Sequence, residues 1–211
     1  VDHGARGVER VWSWAASGAE AEARRRDAHE LVGEYLRSVH YFTIDYRRQD
    51  VHPELIDDGP RIIEANSEWL DPPWLHEGFD AIEFGLEIAT ESGAVFSLTW
   101  DPPGEREGIG LQRVAMLGSG VHRDAGVGIW DVGARTPAWR LLVGRRITGV
   151  DLHYEPWDEE TGSLWCPRIT VRGESGRVEI VMGDAENGLL VPSADNVAVL
   201  HSGTERLADG H

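Results

Sequence analysis

Between Ile82 and Trp100 large apolar side chains recur at every second position, and this period constrains the fold more than any other feature of the chain. Ile82, Phe84, Leu86 and Ile88 alternate with Glu83, Gly85, Glu87 and Ala89. Thr90-Glu91-Ser92-Gly93 reads as a tight turn, and Ala94, Phe96, Leu98 and Trp100 then alternate with Val95, Ser97 and Thr99. Side chains on a strand point to opposite faces in turn, so the stretch predicts an antiparallel hairpin with one buried face.

The same period predicts strands at Tyr41–Tyr46, Arg61–Glu64, Gly110–Met116, Ile147–Tyr154, Arg168–Arg172, Arg177–Met182, Leu189–Val191 and Val197–His201. Gly173-Glu174-Ser175-Gly176 and Asn187-Gly188 are turn signals between them. A short helical or turn insertion is expected over Thr136–Val143. Before the strands, the run from Gly18 is rich in helix formers, and Ala28, Leu31, Val32, Tyr35, Leu36 and Val39 follow the spacing of one helical face. Glu20 with Arg24 and Glu22 with Arg26 make acid-first pairs along its solvated side. A shorter helix is expected over Val8–Ala16, with Trp12 on its buried side. The sequence contains no alternation of strands with long helices, which argues against a parallel α/β sheet. The expected fold is therefore α+β: mainly antiparallel sheet in hairpins and meander, with an N-terminal amphipathic helix packed on it. Within one globular unit, residues 1–46 form a helical segment leading into the first strand, 47–201 a β-rich domain and 202–211 a polar tail.

The 20 basic side chains are all arginine, against 37 Asp and Glu, and the formal charge is -17. That field repels phosphate backbones and makes direct nucleic-acid binding a poor expectation. It favours a basic protein partner or cations, although solubility alone is an adequate reason for surface acid. The single cysteine, Cys166, has no internal disulfide partner. No basic-then-apolar leader occurs at Val1-Asp2-His3-Gly4, and no run of about 18 apolar residues appears anywhere. A cytoplasmic protein without membrane attachment is the expectation.

Motifs for catalysis are sparse. His76-Glu77-Gly78-Phe79-Asp80 departs from the His-Glu-x-x-His zinc pattern at its last position, and His29-Glu30-Leu31-Val32-Gly33 departs there too. Glu64, Glu68, His76, Glu77 and Asp80 offer a looser alternative, a loop of carboxylates and one imidazole suited to a divalent metal ion and to metal-assisted hydrolysis or small-ligand binding. Ser119 lacks the flanks of a nucleophile elbow, and Cys166 lacks an identifiable histidine partner. Without any lysine, neither Schiff-base chemistry nor a lysine-gripped phosphate is available. The reading is a non-enzymatic protein without a cofactor.

Nine tryptophans exceed the four phenylalanines and four tyrosines. Trp12, Trp14 and Trp100 fit buried faces, whereas Trp69, Trp74, Trp130, Trp139, Trp157 and Trp165 fall in what read as connections. There the rings either plug the ends of a sheet or form a recognition surface. Acidic residues interleave them, so Trp69, Asp71, Trp74, Trp130, Asp131, Trp157 and Asp158 are the candidate partner-binding residues, suited to a cationic protein. Small, acidic, tryptophan-bearing α+β proteins of this sort are similar in general character to bacterial immunity proteins that block toxic enzymes, with no motif carrying the likeness further. A third reading is a structural subunit that self-associates through strand edges or the N-terminal helix.

Overall fold

The computed structural model describes residues 15, 17–45, 60–100, 108–118, 121, 126–193 and 196–201. Of the helix expected over Val8–Ala16 only Ala15 is described, and it forms an antiparallel bridge with Leu164 instead of a helical turn; Trp12, Trp14, Ser119, Tyr46 and the tail 202–211 lie outside the described residues.

Helix α1 spans Gly18–Ala28, and a 3-10 turn follows at His29–Leu31. Ser17 caps the helix, its hydroxyl accepting from the Glu20 N–H at 3.3 Å. The apolar spacing that predicts continuation to Val39 is overruled at Gly33, whose φ of +98° ends the helical turn. From Leu36 the chain is extended, and Leu36, Val39 and Tyr41 enter the core from a strand. Only Ala21 and Ala28 of α1 are buried, so the helix has a narrow apolar stripe rather than a broad face. Glu22 pairs with Arg25 rather than Arg26.

The strands, in chain order, are β1 Leu36–Ile44, β2 Arg61–Ile62, β3 Leu75–His76, β4 Phe79–Ile82, β5 Gly85–Thr90, β6 Val95–Trp100, β7 Ile109–Gln112, β8 Val127–Asp131, β9 Ile147–Asp158, β10 Ser163–Gly173, β11 Gly176–Met182, β12 Asp184–Glu186, β13 Leu189–Val191 and β14 Val197–Leu200. One six-stranded sheet runs β2-β8-β1-β5-β6-β7, a second runs β3-β4-β14-β11-β10-β9, and β12 pairs with β13 alone. All pairings between these strands are antiparallel except β2 with β8. This is the expected α+β class, with antiparallel sheets and one short helix against β9 at the edge of the second sheet.

The stretch Ile82–Ile88 is two strands rather than one. Gly85 has a φ of +124°, and a Cβ there would sit 2.2 Å from the Leu98 carbonyl oxygen, so the corner requires glycine. The chain crosses from the second sheet (β4) to the first (β5) at this corner. Ile82 therefore reaches the core from one sheet while Leu86 and Ile88 reach it from the other, and the uninterrupted alternation conceals the crossing. The hairpin β5–β6 forms at Thr90–Gly93, β10–β11 turn at Gly173–Gly176, and Asn187 (φ 52°) with Gly188 (φ 78°) makes the β12–β13 turn.

The main core lies between the two sheets and joins residues of both, with Ala28 and Leu31 from the helical segment. Two smaller apolar clusters lie elsewhere. Phe42, Met116, Val121 and Val127 form one on the outer side of the first sheet, and Phe79, Ala81, Val181 and Ala198 form the other beside the β12–β13 ribbon. Among the described residues, no helix is long and apolar enough to cross a membrane.

Candidate partner-binding groove

Strand β1 carries polar groups on both faces, and the two faces treat them differently. Toward the core, the Trp139 indole N–H donates to the Tyr41 hydroxyl oxygen at 2.8 Å, and that hydroxyl donates to Asp80 Oδ2 at 2.8 Å. His201 Nε2 lies 2.8 Å from Asp80 Oδ1, and because an ionised carboxylate only accepts, the ring nitrogen carries the hydrogen. Asp80 is fully buried. Burial first and the Asp80 charge second push the Tyr41 phenol well above its ordinary pKa, so it stays a donor. Beside this chain the Trp130 indole donates to the Thr43 hydroxyl at 2.9 Å.

At the end of β1, Arg61 grips two buried carboxylates with its guanidinium. It donates to Asp45 at 2.8 and 2.9 Å and to Glu68 at 2.9 and 3.0 Å. Those hydrogen bonds, Asp45's foremost, push its pKa upward. A cavity of about 190 Å³ beside the cluster is lined by Thr43, Asp71 and Trp130 among others.

The outer face is covered in part by the cluster of Phe42 and Met116 and carries a polar row beside it. Cross-strand register aligns Gln112 with Ser97, Ser97 with Glu87, Glu87 with His40, and His40 with Asp131, so one polar row crosses β7, β6, β5, β1 and β8. His40 Nδ1 is 4.0 Å from Glu87 Oε1, too far for a hydrogen bond, and is buried without a hydrogen-bond partner. The Ser97 hydroxyl is buried in the same condition. Glu87 Oε2 is fixed by the Met116 N–H at 2.9 Å. A groove of about 490 Å³ opens over the Glu87, His40 and Asp131 end of this row, bringing Glu64, Glu87 and Asp131 together with His40, Trp69 and Arg135.

The Trp69 wall is rigidly set. Its indole N–H donates to the Ile63 carbonyl at 3.2 Å, and its ring meets Trp130 and Trp74 edge-on at centroid distances of 5.2 and 5.9 Å. Such pairs contribute about 0.5–1.5 kcal/mol each beyond area burial. The Arg135 guanidinium carbon lies 4.3 Å from the Trp69 ring centroid.

The candidates from the sequence are therefore divided. Trp69, Trp74 and Trp130 form one cluster, but Trp74 and Trp130 are 2% and 5% exposed and act as its interior. Asp71 lines the smaller cavity, Asp131 the groove. Trp157 and Asp158 sit apart at the end of β9: Trp157 packs on Trp165, and Asp158 accepts from the Glu160 N–H and the Thr161 hydroxyl to shape the β9–β10 turn. Trp130, Trp157 and Trp165, read as loop residues, are strand residues, because the short polar and Pro-containing sequences around them obscure the period. Trp139 is fully buried, while Trp100 is half-buried against the core.

The loop alternative for a metal disperses. Glu68 is committed to Arg61, Asp80 to Tyr41 and His201, His76 stacks on Phe79 at 5.0 Å, and Glu64 lines the groove while Glu77 is exposed to solvent. Among the described residues no group of three His, Cys, Asp or Glu side chains is placed to hold a metal ion. Cys166 is buried and its thiol is pushed up to about 12, chiefly by that burial, which makes it a poor nucleophile.

His40, Glu87 and Arg135 went unread in the sequence. The only signal was that His40 and Glu87 occupy outward positions of strongly alternating strands, and their alignment depends on pairing register. The arrangement suits a cation: three carboxylates and an aromatic face share a groove opposed by one guanidinium and one imidazole. No protein-family model, curated protein or solved structure matches the chain.

Proposed function

We propose that this chain is a non-enzymatic, cytoplasmic binding protein of the immunity or inhibitor type, and that the groove on the outer face of the first sheet receives a cationic segment of a basic protein partner. The observation that carries the reading is the convergence of Glu64, Glu87 and Asp131 around the rigid Trp69 wall in a groove of about 490 Å³. Exposed Ile62 of β2 lines the groove and supplies apolar contact area beside the charges. The formal charge of -17 would speed encounter with a basic protein and make the rate fall with salt.

The test uses a short arginine-rich peptide as probe, titrated calorimetrically into the full chain at low and at high salt. Binding that weakens with salt and drops about tenfold in the Glu64→Gln, Asp131→Asn double variant supports the groove as the site. A double variant that binds the peptide as tightly as the parent chain refutes it.

A further inference from the structure

Arg135 occupies the groove in an unusual way. Its backbone N–H donates to the Val132 carbonyl at 3.0 Å, which fixes the turn just after β8, and its exposed side chain lies over the Trp69 ring. Glu64 and Asp131 line the same groove, yet Arg135 forms no ion pair with either of them. The guanidinium is held by one aromatic face and by none of the carboxylates within the same groove. A planar cation that could both stack on an indole and make forked hydrogen bonds to a carboxylate is here using only the first of these contacts.

We propose that the Trp69 face is a guanidinium subsite and that Arg135 is its resident occupant, displaced when an arginine of the partner enters. The inference rests on the groove reading above and deepens it by naming the side chain recognised. An incoming arginine stacks on the ring already braced by Trp74, Trp130 and the Ile63 carbonyl, entering a groove that Glu64 and Asp131 also line. Arg135, tethered through the turn at Val132, gives up one weak contact and moves into solvent, where it loses little. A lysine ammonium, compact and strongly hydrated, matches the flat ring poorly and leaves Arg135 in place. The subsite therefore selects arginine over lysine.

The experiment compares an arginine-rich peptide with its lysine counterpart of equal length, by calorimetry, on the parent chain and on Arg135→Lys and Arg135→Ala. Arg135→Lys keeps the charge and removes the planar stack, so displacement predicts that it binds the arginine peptide about threefold more tightly than the parent while its affinity for the lysine peptide is unchanged. Arg135→Ala then raises affinity for both peptides, with the larger gain for arginine. Equal gains for the two peptides in Arg135→Ala, or no gain for the arginine peptide in Arg135→Lys, overturn the subsite while leaving the groove reading intact, provided that the Glu64→Gln, Asp131→Asn variant still loses affinity. Undiminished binding by that double variant overturns both readings together. Arg135 is exposed, so neither substitution threatens the fold.

Discussion

The two faces of β1 make opposite use of the same kinds of side chain. On the core side, Tyr41 connects Trp139 to Asp80 and Asp80 connects to His201 in one continuous chain of hydrogen bonds, although the neighbouring Trp74 Nε1 is buried without a partner. On the outer side one residue away, His40 faces Glu87 at 4.0 Å with its Nδ1 unbonded, and Arg135 rests on a ring instead of a carboxylate. A polar group buried without a partner costs about 1–3 kcal/mol, so a chain tolerates it where something other than stability is gained. We read the inner network as a source of stability, and the outer groove is the site of the proposed recognition.

The sharpest way to break that contrast is Asp80→Ala. It strips acceptors from Tyr41 and His201 at once, and unfolding in denaturant should show a loss of about 2–4 kcal/mol. Tyr41→Phe keeps the ring and removes the hydroxyl, leaving the Trp139 N–H and one Asp80 oxygen unpaired, for an expected loss of about 1–2 kcal/mol by the same measurement. Equal stability of this variant and the parent would mean that the inner network contributes nothing net.

A smaller effect sharpens the comparison from the second sheet. His153 lies on the outer side of β9, its Nε2 2.8 Å from the Thr170 hydroxyl. Burial first, and the Arg168 guanidinium second, hold its pKa below the ordinary 6.5. The unfolded chain then takes up the proton before the folded one, so stability present above pH about 6.5 is lost as the pH falls through the lowered folded value. His153→Gln should flatten that part of the melting-temperature profile, modestly because the site is half-exposed and screened. An unchanged slope would show that the environment of His153 is not felt in stability.

The smallest change is expected at Asp131→Asn. Its carboxylate is exposed in the groove, so stability should shift by under about 0.5 kcal/mol while the affinity for an arginine-rich peptide falls. A large loss of stability there would place Asp131 with the inner network and erase the distinction between the two faces.

Much of the fold was legible because a strand's alternation is local. The β5–β6 and β10–β11 hairpins and the Asn187-Gly188 turn follow from neighbouring residues alone. The helix was read too long because Leu36 and Val39 satisfy a helical spacing and a strand's core contacts alike, and the left-handed backbone of Gly33 decides between them. The crossing at Gly85 was hidden for a related reason: Ile82 and Leu86 point into one core from two sheets, and the alternation is the same whether the chain crosses or not.

By itself, then, the sequence determined the acidic field, the antiparallel hairpins, the poverty of catalytic motifs and the abundance of tryptophan, all of them properties of composition or of residues close in the chain. Only the tertiary structure decided which tryptophans are interior, that Asp80 is spoken for by the distant Tyr41 and His201, and that His40, Glu87 and Asp131 stand in one row. Those facts depend on register between strands far apart in sequence, which is fixed by the packing of two sheets on a shared core and leaves no trace in the spacing of any single segment.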